Sequence, residues 1–558
     1  MKKIKYSHIL VIVLLLVLSC KQEVIAPTPE PTPDPAAAPV AGTANFSKFI
    51  SVGNSYVAGM QASALYNTSQ ANSLPKIMAT QMALISGTSG GSATFNQPDI
   101  NSVNGFNPIN SVLPNLVLGR LVLYDPDGTG PRSAAPYPAK YPGAPAVTCP
   151  SAVAATPALP SPYNTSDFPS PFGGNKFTLN NFGVPLILTA QALTPATGGP
   201  APPAPNPAYS PFYARFASSP SANGTTGSTI LSDARAAAGS FYLIWFGFDD
   251  VLLYAATGAD GASPGTYPMT DAAAFTTYYN GVMATLATGT TFNGVVGNIP
   301  DFTTLPYFYT VLWNAITLDA ATATQLTGSL ATPYNQFLDA MGPSPGKGLL
   351  SAAEVAKRKL SYKQGANGVL MVDEDLTDLT AAINGAVAAG NTAAAALLPY
   401  AKARQATATD LVPLAAGSVL GTCNGGNPLA VWGVSFPVPD KYMLTANETG
   451  AILARTAQFN ATINSAVANY SSRFAVADIA KGYKDFLTAK AFISDGVMIT
   501  PSFAPPTGAF SEDGLHPNSR GYAFTANMFI DAINAKFGST IPKASLAAYS
   551  GTGLPVTP

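Results

Sequence analysis

An unbroken run of apolar residues, Phe241–Phe246, constrains the fold of this chain more than any other segment. Because it shows no alternation of polar and apolar residues, it suits a strand that is buried on both faces. Both faces are covered when helices pack on each side of a parallel sheet. The run leads directly into Gly247-Phe248-Asp249-Asp250. The segment therefore predicts an α/β fold, a three-layer α/β/α arrangement with a mainly parallel sheet.

A second, mostly apolar run, Phe49–Val52, ends in Gly53-Asn54-Ser55 and predicts another strand. The glycine lets the chain turn sharply at the strand end. A serine just beyond that end lies at the edge where open α/β sheets place reactive groups. Ser55 is therefore a candidate nucleophile. The alternative is that Gly-Asn-Ser only forms a turn, since these three residue types are common in turns.

Two histidines occur in the chain, and His8 lies in an N-terminal segment with the features of an export signal. Removal of that segment would leave His516 as the only imidazole and hence the obvious general base near neutral pH. Asp513, three residues upstream, can orient the ring through its other nitrogen. Ser55, Asp513 and His516 form a candidate catalytic triad.

The candidate residues belong to four ordered blocks: the Ser55 block, Asn180–Pro185 with Gly183, the Gly247–Asp250 turn, and Asp513–Pro517. In this order the blocks resemble the GDSL or SGNH hydrolase family. Connecting motifs add to the resemblance: Gln81-Met82, Asn298-Ile299-Pro300-Asp301 and Asn518-x-x-Gly521-Tyr522.

The resemblance implies a flavodoxin-like SGNH-hydrolase fold and a serine esterase or lipase that works through an acyl-enzyme without a cofactor. Its substrates would be carboxylic esters of lipids or acylated glycans. The resemblance also implies an oxyanion hole made by the amides of Ser55 and Gly183 and by an asparagine side chain at position 249.

Position 249 departs from the family pattern, because it is an aspartate here. An ionised aspartate cannot donate a hydrogen bond and repels a developing negative charge. Asp249 could be protonated and donate, or it could face away and leave a slower two-donor site. Alternatively, the site has decayed and the protein is a surface module that binds glycans or lipids. Asn54, where the family name has aspartate, is a milder departure.

The N-terminus predicts an exported bacterial lipoprotein. Residues 1–20 have a basic start, an apolar run Ile9–Leu18 and a closing Ser19-Cys20, as a signal peptide does. Val17-Leu18-Ser19-Cys20 resembles a lipobox, so Cys20 is predicted to carry lipid and to anchor the protein to the outer membrane, on its periplasmic or cell-surface side. The alternative is an ordinary signal with an incidental cysteine. Residues 21–44 are rich in proline and alanine and predict an extended tether.

The hydrolase domain is predicted to span residues 45–540, with a C-terminal tail over 541–558. Its blocks lie much farther apart than ordinary loops allow, so insertions are predicted at about 86–175, 194–228 and 315–435. The last insertion contains helix-like stretches, Leu376–Ala389 and Ala393–Ala406, and is a candidate cap over the site.

Local signals also predict elements in the last third of the chain. Thr445-Ala446-Asn447-Glu448 is a capping box, and a strand is expected over Phe474–Asp478. A helix with an apolar face after His516 is expected to end at Gly538.

Composition excludes several other functions. A net charge of -1 with 10% charged residues provides no basic surface for nucleic acid. One mature histidine without a cysteine cluster argues against a zinc site. Cys149 and Cys423 are predicted to form a disulfide because export is oxidising, the alternative being two free thiols. Nothing in the sequence specifies the oligomeric state.

Overall fold

Five parallel strands form the central sheet of the protein, whose computed structural model describes residues 38–106, 119–124, 137–139, 169–263, 266–343 and 348–555. The strands are β1 (Phe49–Gly53), β2 (Asn181–Gly183), β3 (Phe241–Trp245), β4 (Asn293–Gly297) and β5 (Phe474–Ala477). Their order across the sheet is β5-β4-β3-β1-β2, and every neighbouring pair is parallel. The predicted α/β class with a parallel sheet is confirmed.

The strand predicted from the apolar run is β3, which is buried along its whole length. It pairs with β1 on one side and with β4 on the other, so its backbone hydrogen bonds are satisfied within the sheet. Its Trp245 and the following Phe246 are fully buried, and Trp245 packs against the rings of Tyr56 and Phe529. The two-sided burial explains why this strand tolerates no polar residue.

Helices surround the sheet in two groups. The helices are α1 (Ser55–Ala58), α2 (Leu74–Met82), α3 (Ile230–Ala236), α4 (Asp249–Ala256), α5 (Ala272–Ala287), α6 (Ala446–Ala468), α7 (Ile479–Ala489) and α8 (Ser519–Phe537). Helix α8 packs against α2, α7, β4 and β5. Helix α5 packs against α3 and α6, and α6 also contacts α4. Together with the sheet they enclose one large hydrophobic core.

Local signals placed the helix ends correctly in the last third. The Thr445 side chain accepts a hydrogen bond from the Glu448 amide, and the Glu448 carboxylate accepts one from the Thr445 amide at 2.7 Å, so the predicted capping box is confirmed. Gly538 ends α8 with φ 63°, a left-handed conformation that glycine adopts without steric cost.

A second hydrophobic core is built by residues between 316 and 443. Its helices are Ala320–Leu326, Thr332–Met341, Ala352–Arg358 and Thr380–Ala388, with one π-helical turn at Thr327–Ala331. Its strands pair antiparallel, Ile316–Leu318 with Gly365–Asn367 and Leu370–Val372 with Ala403–Gln405. Leu444 lies in the main core and Leu411 packs against it, and the two form a short ladder with N···O distances of 2.8 and 2.9 Å, while their chain neighbours Val412 and Met443 belong to the second core.

The prediction that Ala393–Ala406 is helical throughout is wrong for the end of the stretch. It forms a 3-10 helix over Thr392–Tyr400 and then a strand, Ala403–Gln405. Pro399 lies inside this helix and removes a backbone donor. The strand pairs with Leu370–Val372, and this long-range pairing outweighs the helix propensity of Ala403, Arg404 and Gln405.

The remaining elements are short. Two further hairpins pair Val122–Tyr124 with Tyr137–Ala139, and Phe492–Ser494 with Val497–Ile499. Short helices occur at Asn67–Ala71 and Pro211–Ala214. Ile541, Ala544 and Leu546, which belong to the predicted C-terminal tail, are buried in the main core. No helix in the part of the chain that the structure describes is long and apolar enough to cross a membrane.

Candidate active site

The candidate site lies where the carboxyl ends of β1 and β3 meet. The chain reverses the order of its strands at this point, since β2 and β3 lie on opposite sides of β1. Connections on either side of such a point diverge and leave a crevice at the strand ends, where ligands of open α/β proteins bind. Ser55 begins α1 just after β1, and Asp249 begins α4 shortly after β3. Both side chains are buried, and Ser55 Oγ donates a hydrogen bond to Asp249 Oδ2 at 3.3 Å.

Local backbone geometry holds Ser55 in place. Asn54 caps α1, its side chain accepting a hydrogen bond from the Tyr56 amide at 3.2 Å, and Gly59 ends the helix in a left-handed conformation with φ 85°. The Ser55 oxygen also accepts a hydrogen bond from the backbone amide of Leu186 at 2.8 Å. The serine hydroxyl is therefore held between a carboxyl group and a backbone N–H.

His516 and Asp513 form a buried pair in the loop before α8. His516 Nδ1 lies 2.7 Å from Asp513 Oδ2, and Asp513 Oδ1 accepts hydrogen bonds from the amides of Leu515 and His516, both at 2.9 Å. The Ser63 amide donates to Asp513 Oδ2 at 2.7 Å. Burial acts to raise the pKa of Asp513, but His516 and these hydrogen bonds outweigh it and hold the pKa below its usual value. An ionised Asp513 places the imidazole proton on Nδ1 and leaves Nε2 as the basic nitrogen.

The basic nitrogen of His516 is buried and has no hydrogen-bond partner among the residues described. The ring packs against Tyr56, with centroids 5.4 Å apart, and the Tyr56 hydroxyl donates to the Leu515 carbonyl at 2.6 Å. Since Tyr56 follows Ser55 in α1, this bond connects the serine helix directly to the histidine loop. The structure thus brings Ser55 and His516 to the same buried region at the ends of the strands, with Ser55 hydrogen-bonded to Asp249 rather than to His516.

Asp249 faces the serine. Its Oδ1 is buried without a hydrogen-bond partner in the described part of the chain, while Oδ2 accepts from Ser55. Burial raises the pKa of Asp249 to about 7 against the opposing effect of His516, and Asp250 adds to the rise. The orientation away from the site, one of the three readings of Asp249, is therefore not the one observed.

The neighbouring Asp250 has a different role. Its Oδ2 accepts hydrogen bonds from the Thr189 amide and hydroxyl at 3.0 and 2.7 Å, and its Oδ1 accepts from the Thr270 hydroxyl at 2.8 Å. Asp250 thereby fixes the loop that follows β2 and the loop that precedes α5.

Gly183 lies at the end of β2, and its amide donates to Asn181 Oδ1 at 2.9 Å rather than to Ser55. A Cβ atom at this position would lie 2.4 Å from the Ala58 nitrogen, so the glycine allows α1 to approach β2 closely. The amide that does reach the serine oxygen belongs to Leu186, which sequence reasoning missed. Any residue except proline has such an amide, so side-chain identity carried no signal for it.

The connecting motif around Asn298 supports the ends of the strands. Asn298 Nδ2 donates to Asp478 Oδ1 at 2.8 Å, and the Asn298 carbonyl accepts from the Trp245 indole at 3.1 Å. These bonds join the last residue of β3 to the segments that follow β4 and β5, and they involve neither Ser55 nor His516.

Of the cysteines, Cys423 is disulfide-bonded. Cys149 and the predicted lipidation site Cys20 lie outside the described residues. Within the described ranges, no three His, Cys, Asp or Glu side chains are grouped so that they could hold a metal ion.

The chain matches no protein-family model, and no curated protein or solved structure matches it either.

Proposed function

We propose that this protein is a serine ester hydrolase of the GDSL or SGNH type, with the three-layer α/β/α fold of that family. The observation that carries the proposal is the buried His516, whose Nδ1 is bonded to Asp513 and whose Nε2 has no hydrogen-bond partner among the described residues. A buried imidazole with one oriented and one free nitrogen is what a general base requires. Ser55 supplies the nucleophile in the same crevice.

The reaction would begin with His516 Nε2 taking the proton of the Ser55 hydroxyl. Oγ then bonds to the ester carbonyl carbon, and the carbonyl π electrons move onto the carbonyl oxygen. Collapse of this intermediate breaks the bond to the alcohol oxygen, which takes the proton from His516. Water repeats the sequence on the acyl-enzyme, and Asp513 remains ionised throughout.

The mechanism requires Ser55 Oγ to rotate from Asp249 towards His516. That rotation exchanges one or two hydrogen bonds, each with a net contribution of about 0.5–3 kcal/mol. Enzymes lower activation barriers by about 8–23 kcal/mol, so the free-energy cost of this rotation is small compared with the total lowering of the barrier. The Ser55–Asp249 hydrogen bond slows an esterase of this design without preventing its reaction.

The substrate class and location belong to the same proposal. The substrate would be a carboxylic ester of a lipid or of an acylated glycan. Lipidation at Cys20 would anchor the enzyme to a bacterial outer membrane, with residues 21–44 as a tether. These elements rest on the sequence motifs alone.

A second candidate is a catalytically weakened surface lipoprotein that binds glycans or lipids. It is favoured by the hydrogen bond of Ser55 to Asp249 and by the near-complete burial of Ser55 and His516, which are 0% and 1% exposed. A nucleophile in this state has to change rotamer, and substrate has to open a path to it, before catalysis starts.

Labelling with a serine-reactive fluorophosphonate separates the two candidates. An esterase is expected to be labelled at Ser55, with loss of labelling in Ser55→Ala but not in Ser69→Ala, a control at another buried serine outside the site. Hydrolysis of p-nitrophenyl esters of increasing chain length and of acetylated glycans then defines the acyl preference. Labelling elsewhere with full activity in Ser55→Ala would exclude the proposal. Binding of glycan or lipid with no labelling and no turnover would favour the second candidate.

A further inference from the structure

We infer that the backbone amide of Leu186 is a catalytic hydrogen-bond donor, which stabilises the oxyanion formed when Ser55 attacks an ester. The inference rests on the proposed esterase function. It assigns to Leu186 the role that the family resemblance gave to the amide of Gly183.

The Leu186 amide lies beside the oxygen that would attack the ester. Its nitrogen lies 2.8 Å from Ser55 Oγ, closer than Asp249 Oδ2 at 3.3 Å. In the tetrahedral intermediate the charged oxygen is bonded to the carbon that Oγ attacks, so it develops two bonds away from Oγ. When Oγ turns towards His516, the Leu186 N–H no longer donates to it. The released N–H then lies next to the place where the oxyanion charge appears. An oxyanion hole consists of donors aimed at this place before the reaction starts.

The Gly183 amide is occupied by a competing acceptor. It donates to Asn181 Oδ1 at 2.9 Å, and the same oxygen accepts from the Ser51 hydroxyl at 2.9 Å. The side-chain nitrogen of Asn181, Nδ2, is also paired and donates to the Val57 carbonyl at 3.0 Å. Freeing the Gly183 amide would disturb this buried network, whereas the Leu186 amide is released by the rotation of Ser55 itself.

The backbone of Leu186 is strained in the orientation that aims its amide at the serine. Leu186 has φ 55°, in the left-handed region that costs a residue with a Cβ about 1–2 kcal/mol. The flanking chain is pinned on both sides. The Val184 amide donates to the Gly53 carbonyl at 2.9 Å, and Asp250 holds Thr189. Strained backbone that is held by its surroundings concentrates at functional sites, which is consistent with a preorganised donor.

The direct test replaces the Leu186 amide by an ester. Incorporation of the α-hydroxy acid counterpart of leucine at position 186 exchanges the N–H for oxygen and keeps the side chain. Loss of one oxyanion donor lowers kcat by about 100–1,000-fold, and we expect that decrease with KM nearly unchanged. The matched control is the α-hydroxy counterpart of glycine at position 183, for which we expect a smaller loss of kcat. Equal kcat in the position-186 variant and the wild type, or the larger loss at position 183, would overturn the inference.

A measurement on the protein with its wild-type sequence tests the inference even if the ester variant fails to fold. A phosphonate adduct on Ser55 places a charged oxygen where the oxyanion forms. In protein labelled with [15N]leucine and [15N]glycine, we expect the Leu186 amide proton to move downfield on adduct formation, with little change at Gly183. Loss of the signal in Leu186→Ala assigns it. Failure of the phosphonate to modify Ser55 would refute the esterase proposal itself. An adduct with an unmoved Leu186 signal would refute only the role of Leu186.

Discussion

At the scale of single residues, the chemistry of the site depends on the protonation state of Asp249. With a pKa raised to about 7, its carboxyl group is largely neutral in mild acid and ionised in mild base. The neutral form donates a hydrogen bond to an oxyanion, and the ionised form repels it. Besides burial, the groups that act on this carboxyl are His516, Asp250 and Ser55. Burial raises the pKa of Tyr56, Tyr267 and Tyr522, and Asp249 adds to the rise.

Asp249→Asn is expected to change the pH dependence of turnover. In the wild type, kcat falls as Asp249 ionises above about pH 7 and its carboxylate repels the oxyanion. Asparagine donates at every pH, so the falling limb disappears. The variant should exceed the wild type in mild base by up to about 100-fold and approach it in acid. Profiles of kcat between about pH 5 and pH 9 measure this.

Asp250→Asn is the matched control for that profile, because its carboxylate bonds Thr189 and Thr270 rather than Ser55. It is expected to lower stability and to leave the falling limb in place. If Asp249→Asn lost activity at every pH, the carboxylate would have a role of its own, such as accepting a substrate hydroxyl.

The raised pKa of Asp249 also makes the stability of the protein depend on pH. The folded state raises the pKa of Asp249 above that of an unfolded aspartate, so its contribution to stability is complete in acid and is lost as pH rises through about 7. Asp249→Asn removes this dependence. We expect the variant to be more stable than the wild type in mild base by about 1–3 kcal/mol, since a buried charge without full pairing is removed. Urea unfolding at two pH values measures the difference, and an equal difference at both would contradict the assigned shift.

At the scale of elements, the approach of α1 to β2 positions the serine. Gly183 permits this contact because a Cβ atom there would lie 2.4 Å from the Ala58 nitrogen and 2.5 Å from the Val57 carbonyl carbon. Both atoms belong to the backbone of α1, which cannot yield as a flexible side chain can. The position of Ser55 therefore depends on a residue that it does not contact.

Gly183→Ala is expected to displace α1 and to lower both stability and turnover. Overpacking of this kind costs about 1–3 kcal/mol, and the shift moves Ser55 relative to His516. Gly450→Ala is the control: the site lies in α6 with open space around it, and alanine there should stabilise the protein by about 1 kcal/mol. Chemical unfolding and kcat measure both effects. Unchanged turnover in Gly183→Ala would show that this contact does not position the serine.

At the scale of the whole molecule, two hydrophobic cores share one chain. The second core contains a buried ionic network, in which Arg404 donates two hydrogen bonds to Asp410, both at 2.7 Å, and one to Asp373. Burial raises the pKa of Asp373, but Arg404 and Lys357 outweigh it and hold the pKa below its usual value. Removing one partner from such a network leaves a buried charge unpaired.

Arg404→Ala is expected to destabilise the second core by about 3–5 kcal/mol. Amide hydrogen exchange should accelerate in Leu370–Val372, which pairs with the strand of Arg404, while β3 in the main core keeps its protection. Lys543→Ala, which breaks an exposed ion pair with Asp531, should cost no more than about 1 kcal/mol. Equal acceleration of exchange in both cores would show that they open as one cooperative unit.

Features that depend on near neighbours in the chain were predictable from sequence. The apolar run of β3, the Thr445–Glu448 capping box and the Gly538 helix end each act over a few residues. The Asp513–His516 pair belongs with them, because its partners lie in one loop. Local sterics and local hydrogen bonds decide such features wherever the segment lies in the fold.

Only the tertiary structure decided how distant segments meet. It placed the Leu186 amide and the Asp249 carboxyl on the Ser55 oxygen, across 131 and 194 residues of sequence. It also made a strand of Ala403–Gln405, at the end of a stretch predicted to be helical, through pairing with Leu370–Val372. These outcomes depend on strand order and on burial, which raises the pKa of Asp249. They also depend on backbone amides, whose roles cannot be read from side-chain identity. The sequence by itself determined which reactive side chains the site contains, and packing determined which of them, and which backbone amide, contact the serine.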